Sequence, residues 1–396
     1  MGLPYVLGGD ARSGPWEQRQ LGEVVSERNE RSASGELLSI SMSRGVYPTS
    51  CSDRKDNSSE DKSNYKHLAV GDIAYNSMRM WQGACGLSSF DGIISPAYTV
   101  VIPSAATDGR FLIDLFKTTE MLNTFQRNSQ GLTSDTWNLK YPAFSKIKCS
   151  IPSLPEQRLI GKFFSTLDSL IAAAERQEAL LRRKKQAYLR LMFPREGETE
   201  PRLRFKGFSG QWHQRQLGEL YAPSREKNDG SFSAKDIISV AGMRYTSREP
   251  ADSSDDYMRT YNVMRVGDIA FEGHTSNEFA FGRFVENDLG DGIVSHVFVV
   301  LRPLPGRRYD LAFWKEAIHD ELLMRRILAR STKRSTMMHE IVVPDFLKET
   351  VRVPSLPEQL RIGDIFKTFD MLITVSHQRV ETLQKAKSAY LQRMFL

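Results

Sequence analysis

The sequence predicts a mixed α/β protein of the α+β kind, with two related globular bodies joined by two long antiparallel coiled-coil helices. Three observations predict it. The phrase IPSLPEQRLIG at 151–161 returns as VPSLPEQLRIG at 353–363, each time opening a long helical pattern. Landmarks on both sides of the phrase return in the same order. Between them, short β-rich runs bounded by Gly, Pro and Asp alternate with amphipathic helical patterns.

The repeat organises everything else. WEQRQLGEV at Trp16 matches WHQRQLGEL at Trp212, and VGDIAY at Val70 matches VGDIAF at Val266, both 196 residues apart. DGIIS at Asp91 returns as DGIVS at Asp291, 200 residues on, and AYLRLMF at Ala187 returns as AYLQRMF at Ala389, 202 residues on. A repeat this long is no solenoid, whose units run to roughly 20–50 residues. The expected division is a first body over 1–150, a first spacer helix over 151–194, a linker over 195–211, a second body over 212–352 and a second spacer helix over 353–396. PREGETEPRLRFKGFSGQW (194–212), rich in Pro, Gly and charge, marks the linker. The copies agree along strands and helices but differ at YNSMRMWQGACGLSSF and FEGHTSNEFAFGRFVEND. One frame carrying two different inserts suits the recognition of two different things.

Within the bodies, AYTVVIP (97–103) and HVFVVLRP (296–303) read as strands, and FLIDLFKTTEMLNTF (111–125) and LAFWKEAIHDELLMRRIL (311–328) as helices. Ser153 and Glu156 have the spacing of a capping box with Pro155 in the first turn, and Ser355 and Glu358 repeat it. Beyond the caps, Ile160, Leu167, Ala174, Leu181 and Tyr188 recur every seven residues, as do Ile362, Phe369, Ser376, Leu383 and Tyr390. Phe163, Phe164, Leu170 and Ile171 widen the early stripe. Gln177 and Lys184 then narrow it to a coiled-coil seam. A helix from Pro155 to Phe193 would be roughly 58 Å long at 1.5 Å per residue, long enough to act as a rod between two bodies.

The bulk properties fit this scheme. The 396 residues allow two to three domains, with ordinary hydrophobic (40%) and charged (26%) fractions. No apolar run approaches the ~18 residues of a membrane span, and the first residues predict neither a signal peptide nor a myristoyl anchor. Three scattered cysteines, Cys51, Cys85 and Cys149, predict no disulfide framework and no zinc site, and point to a reducing cytoplasm. A net charge of +6 leans towards a polyanionic partner.

The paired PSLPEQ phrases with their helices, the PRLRFKGFSGQW lead into the second half and the GDIAY/GDIAF pair closely resemble the specificity subunits of Type I restriction–modification systems, over nearly the whole chain. The resemblance implies that each body is a target-recognition domain reading one half of a split double-stranded DNA sequence. It also implies that the helices set the spacing and dock two copies of the modification (methyltransferase) subunit, with restriction (translocase/nuclease) subunits completing the complex. The spacer and docking positions it points to are Glu156, Gln157, Ile160, Leu167, Leu181 and Tyr188, with Glu358, Gln359, Ile362, Phe369, Leu383 and Tyr390. Residues 1–15 depart from the pattern, because they lack the Pro-x-Leu-Arg-Phe lead that precedes Trp212.

No catalytic motif stands beside this frame. An adenine methyltransferase needs an Asp/Asn-Pro-Pro-Phe/Tyr loop to grip a flipped base, and the chain has no Pro-Pro pair. A motor needs G-x-x-x-x-G-K-S/T, but Gly161-Lys162 lies within a helix and is followed by Phe163. Pro344-Asp345 has no Asp/Glu-x-Lys after it, and the seven histidines show no metal-ligand spacing. The expectation is a non-catalytic subunit that binds no cofactor, with S-adenosylmethionine, ATP and magnesium on its partners. The rival readings are a single-chain restriction/methylation enzyme, against which the missing loops count, and a scaffold that binds no DNA, against which the unlike inserts count.

Base readout needs hydrogen-bonding side chains on elements that enter a groove, and phosphates need basic ones. In the first body the candidates are Arg44, Asn76, Arg79 and Gln82. In the second they are Arg244, His274, Thr275, Ser276, Asn277 and Arg283, with Lys333 and Arg334 for phosphates. Met80 and Trp81, interleaved with the first set, fit a core better than a groove-inserting wedge. The run Arg182-Arg183-Lys184-Lys185 fits a solvated helix face, and equally a phosphate or partner contact.

Overall fold

The structure is a computed structural model that describes residues 15–52, 58–134, 136–195, 197–246, 255–305, 310–335 and 338–395. The expectations about the first fourteen residues lie outside these. The chain forms two compact units, residues 1–175 with 378–396, and residues 176–377. Each unit thus holds one body, the start of the long helix that follows it and the end of the other long helix.

In the first unit, one antiparallel sheet runs in the order Val25–Glu27, Tyr98–Pro103, Ile73–Asn76, Cys85–Leu87. A second runs Gly45–Pro48, Glu36–Ser41, Gly92–Ile94, Lys66–Leu68, with a parallel step between its middle strands. The second unit repeats the first sheet as Tyr221–Pro223, Val300–Pro303, Ile269–Glu272, Arg283–Glu286, and keeps the other as two-stranded pieces. An antiparallel clasp closes each body where its chain enters and leaves. Glu17–Gln20 pairs with Lys148–Ile151, and His213–Gln216 with Thr350–Val353.

The repeated GDI motif is structural. Gly71 and Gly267 adopt φ of +91° and +88°, a region that disfavours a Cβ. The turn they make buries Asp72 and Asp268, which accept a backbone N–H three residues back, from Ala69 (2.9 Å) and Arg265 (2.8 Å). Each carboxylate is then held bidentately by an arginine, Arg28 or Arg302.

Each stretch read as one body helix is two. Gly109–Phe116 is followed by Thr119–Asn128, and Leu311–His319 by Glu321–Ser331. Local caps impose the break: Thr118 Oγ1 accepts from Met121, and Asp320 from Leu322 and Leu323.

The long helices span Leu154–Met192 and Leu356–Met394. In the first unit, Phe163 lies edge-on to Tyr390 at 5.1 Å, Lys387 pairs with Asp168, and Gln384 donates to Glu175 at 3.2 Å. In the second, Glu178 meets His377, Lys185 meets Asp370 at 2.7 Å, and Tyr188 packs on Phe369 at 5.4 Å. Rising numbers on one helix meet falling numbers on the other, so the pairing is antiparallel within each unit. Ile160, Leu167 and Ile362 are buried, and Leu181, Leu383 and Tyr390 half-buried, as the heptad predicts.

The PSLPEQ phrase is a socket. Gln157 Oε1 accepts the Asp108 N–H at 2.9 Å while its Nε2 donates to the Pro152 carbonyl at 2.9 Å. Gln359 repeats this with Asp310 (3.1 Å) and Pro354 (3.0 Å). Asp108 and Asp310 in turn cap the first body helices. The glycine that ends each phrase lets the cap approach, since a Cβ on Gly161 would stand 2.9 Å from Asp108 Oδ1, and one on Gly363 2.0 Å from Asp310 Oδ1.

The expected capping boxes are not formed, because both glutamates are drawn elsewhere. Glu156 accepts from Trp16 Nε1 at 3.3 Å, and Glu358 is held bidentately by Arg204 at 2.7 and 2.8 Å. Arg204 belongs to the predicted linker, which is therefore packed against the second long helix rather than slack. Glu358 is 1% exposed. Arg204→Ala should thus strand a buried charge and destabilise the protein by about 3–5 kcal/mol. Denaturant unfolding checks this, with Arg204→Ala/Glu358→Gln expected to recover part of the loss.

The Met-Phe pair that ends each helix plugs the body held in the same unit. Phe395 contacts Trp16 (5.9 Å) and Phe111 (5.3 Å), and Phe193 contacts Trp212 (5.9 Å) and Phe313 (5.3 Å). Among the described residues, no helix is long and apolar enough to cross a membrane.

Candidate nucleic-acid interface

In both units the candidate residues gather on the loops around one edge strand of the four-stranded sheet. In the first unit that strand is Cys85–Leu87, and the loop before it leaves the sheet at Asn76. Asn76 Oδ1 accepts the Met78 N–H at 3.0 Å, and Arg79 and Gln82 close successive turns. Met80, fully buried, anchors the loop in the core, and Trp81 donates to the Met78 carbonyl and lies edge-on to Trp137 at 5.2 Å. Met80 is a core residue, and Trp81 is half-buried against the same core. Arg79 and Gln82 are left exposed, while Asn76 spends its carbonyl oxygen on the turn.

Arg44 reaches the same strand from the second sheet. Its hairpin abuts the strand so closely that a Cβ on Gly86 would stand 2.6 Å from the Val46 nitrogen. The guanidinium lies 5.1 Å from the Tyr47 ring and donates to the Cys51 carbonyl at 3.0 Å, which aims an otherwise flexible side chain.

In the second unit the edge strand is Arg283–Glu286. The loop before it exposes His274, Thr275, Ser276 and Asn277. Glu272, buried, fixes His274 through a 2.6 Å contact to Nδ1, and Ser276 and Phe279 exchange two 3.0 Å hydrogen bonds. Arg283 lies 4.8 Å from the Phe279 ring and donates to the Ala241 carbonyl at 2.7 Å, tying the loop to the turn before Arg244. That turn contains Met243 at φ +40°, the one non-glycine residue with positive φ among those described.

Lys333 and Arg334 stand exposed on a hairpin, Thr332–Arg334 with His339–Ile341. The His339 N–H donates to the Gly273 carbonyl at 2.9 Å, and a Cβ on Gly273 would stand 2.2 Å from the His339 oxygen. The structure therefore brings all the second-unit candidates to one edge.

The spacer positions divide. Gln157, Ile160, Glu358, Gln359 and Ile362 are buried in the sockets, and Phe369 and Tyr390 lie in the helix pairing. Lys185 is no solvated side chain: it sits between Glu316 and Asp370, 2.7 Å from each. Lys387 occupies the matching place in the first unit. Arg182 pairs with Glu178 and stays exposed, as do Arg183 and Lys184.

The sequence reading missed a turn closed by Gln130 and Asn138, which stands where the basic hairpin stands in the second unit. Its signal was present as a polar, glycine-bearing run between a helix and Trp137.

Behind the edges, the units also differ at a titratable histidine. His67 lies between Glu30 (3.2 Å) and Asp91 (3.3 Å), where the second unit has Arg265 between Glu226 and Asp291. Burial opposes the charged imidazole, but hydrogen bonds and attraction from the two carboxylates outweigh it and raise its pKa. Its stabilising contribution is then full below the ordinary imidazole value of about 6.5 and is lost as pH rises through the raised folded value. Thermal unfolding of His67→Arg followed across that window should lack the decline shown by the native protein.

Comparisons with known proteins bear on this arrangement. A family model described as the Type I restriction modification DNA specificity domain matches residues 14–182. The Type I restriction enzyme MjaVIII specificity subunit of Methanocaldococcus jannaschii is 24% identical over 267 residues, 62% of this chain. That alignment spans 60% of the relative's own length.

Among solved structures, the Type I restriction–modification S subunit from M. genitalium aligns over 98% of both chains, with a TM-score of 0.58 at 12% identity. A chain from a study of complex assembly and conformational transition in a type I R-M system aligns over 96% of this chain and 97% of its own, with a TM-score of 0.55 at 15% identity. These two likenesses concern the fold. Residues 14–182 match that family model, and over nearly its whole length the chain shares the fold of these two solved chains.

Proposed function

We propose that this chain is the non-catalytic DNA-specificity subunit of a Type I restriction–modification complex, each unit reading one half of a bipartite target. The observation that carries the reading is the duplicated frame with unlike chemistry at the same sheet edge. The clasp, the GDI turn and the helix socket are repeated nearly residue for residue. The loops beside the edge strand offer Arg44, Arg79 and Gln82 in one unit, and Arg244, His274, Ser276, Asn277 and Arg283 in the other. Lys333 and Arg334 add phosphate contacts, which position the protein without specifying sequence.

The long helices set the gap between half-sites, and their outer faces dock two modification subunits. With Gln157, Gln359, Glu358, Ile160 and Ile362 committed to the sockets, docking falls to neighbours such as Leu159, Leu170, Leu360 and Leu372, all exposed. Methyl transfer from S-adenosylmethionine, and ATP- and magnesium-dependent translocation and cleavage, belong to partner subunits.

The purified chain, given S-adenosylmethionine, ATP and magnesium, should neither methylate nor cut DNA, and should direct methylation once modification subunits are added. Methylation by the chain in a preparation free of partners would overturn the reading.

A further inference from the structure

We propose that Leu132 is a specificity residue of the first unit and that it reads the 5-methyl group of a thymine. The inference rests on the DNA-reading role proposed above, and names a residue and a chemical group within it.

Leu132 is 101% exposed, as fully as a side chain can be. It is not on a slack tip. Gln130 and Asn138 exchange backbone hydrogen bonds of 3.0 and 2.8 Å at the base of the turn. Within it, Thr136 donates to the Thr133 carbonyl through its N–H and its hydroxyl, both at 2.9 Å, and Thr133 N–H donates back to Thr136 Oγ1 at 3.1 Å. Gly131, at φ +144°, packs so tightly that a Cβ would stand 2.6 Å from the Thr136 oxygen. A backbone this closely tied holds an aliphatic side chain out in water before any partner arrives, which lowers the ordering cost of binding.

The turn is seated on the loop that presents Arg79 and Gln82. Leu139 N–H donates to the Ser77 carbonyl at 2.8 Å, and the Trp137 ring meets Trp81. It also follows Thr119–Asn128 and precedes Tyr141–Phe144, as the hairpin carrying Lys333 and Arg334 follows Glu321–Ser331 and precedes Val343–Lys348. One frame position is thus basic in the second unit and apolar in the first. A leucine has no donor for a phosphate or a base edge. In the major groove the apolar group open to it is the thymine C5-methyl.

The test uses the complex assembled with its modification subunits and duplexes carrying the target. Each thymine of the first half-site is replaced in turn by deoxyuridine, which removes the methyl group alone. At one position the native complex should lose roughly fourfold in affinity, the value of one buried methyl. The Leu132→Ala complex should bind the native target more weakly by a similar factor and be indifferent to deoxyuridine there. Leu132→Met should keep most of the sensitivity. Because Leu132 is fully exposed, the alanine variant should unfold at the native temperature, so a binding loss is not a folding loss.

Equal deoxyuridine sensitivity in the native and Leu132→Ala complexes, or none in the native complex at any first-half position, overturns the proposal. Base-pair exchanges in the first half-site that leave binding unchanged, while second-half exchanges abolish it, would instead overturn the reading role of the first unit.

Discussion

Lengthening both long helices by one heptad, after Leu181 and after Leu383, should widen the gap in the DNA target by about three base pairs. Seven residues add roughly 10 Å of helix at 1.5 Å per residue, and duplex DNA rises about 3.4 Å per base pair. The heptad keeps the seam in phase, because the apolar stripe repeats every seven residues. The insertion points part the Glu178–His377 pair but keep the two half-buried lysine anchors. Lys185 keeps Glu316 and Asp370 in the second unit, and Lys387 keeps Asp168 in the first. Inserting two residues at each point instead turns the distal stripe by about 200° and should abolish assembly. Methylome sequencing of cells carrying each variant reads the gap directly. Robust methylation with an unchanged gap would reduce the helices to docking surfaces.

Exchanging the first body for that of another specificity subunit should replace one half of the target completely and leave the other half untouched. The exchange is best made over residues 16–152, which moves both clasp strands, Glu17–Gln20 and Lys148–Ile151, as a pair. The socket then needs an acid-capped helix start to receive Gln157, and a donor that keeps a residue equivalent to Asp108 supplies it. Trp16, which contacts both Phe395 and Glu156, must also be retained in kind. Within the native body the effects should be graded. Arg79→Ala should cost about 1–3 kcal/mol at one position and relax it, whereas Lys333→Ala in the second should weaken all sequences alike and reduce the salt slope by about one.

Much of this was legible in the sequence because duplication turns one chain into its own comparison. The heptad Ile160, Leu167, Leu181 foretold a paired helix, and Ile362 and Leu383 repeated it. What stayed hidden depends on three-dimensional closeness. Gln157 and Asp108 are 49 residues apart, and no local rule announces that one receives the backbone of the other. The Ser-x-x-Glu spacing suggested a capping box, but tertiary partners, Trp16 and Arg204, outcompeted the local bond. The apolar period at 111–125 predicts one continuous helix because it runs through Thr118, whose side chain nonetheless caps a new helix. Lys185 looked like part of a solvated basic run, and only the acids facing it in the fold show otherwise. In the candidate interface the sequence marked the loop after the GDI strand correctly as a place of divergence. It did not mark Gln130–Asn138, because the backbone pairing that closes that turn leaves no trace in composition.

The central claim is that two independent readers share one non-catalytic frame, and one experiment addresses it most directly. Methylomes would be sequenced from a host lacking the gene, the same host with the native gene, and the same host with the 16–152 exchange. The account predicts that a single bipartite adenine-methylated motif disappears on deletion and returns with the native gene. With the exchange it should reappear with one half new, the other half and the gap unchanged. Methylation that alters in both halves, or a motif that survives deletion, would contradict it.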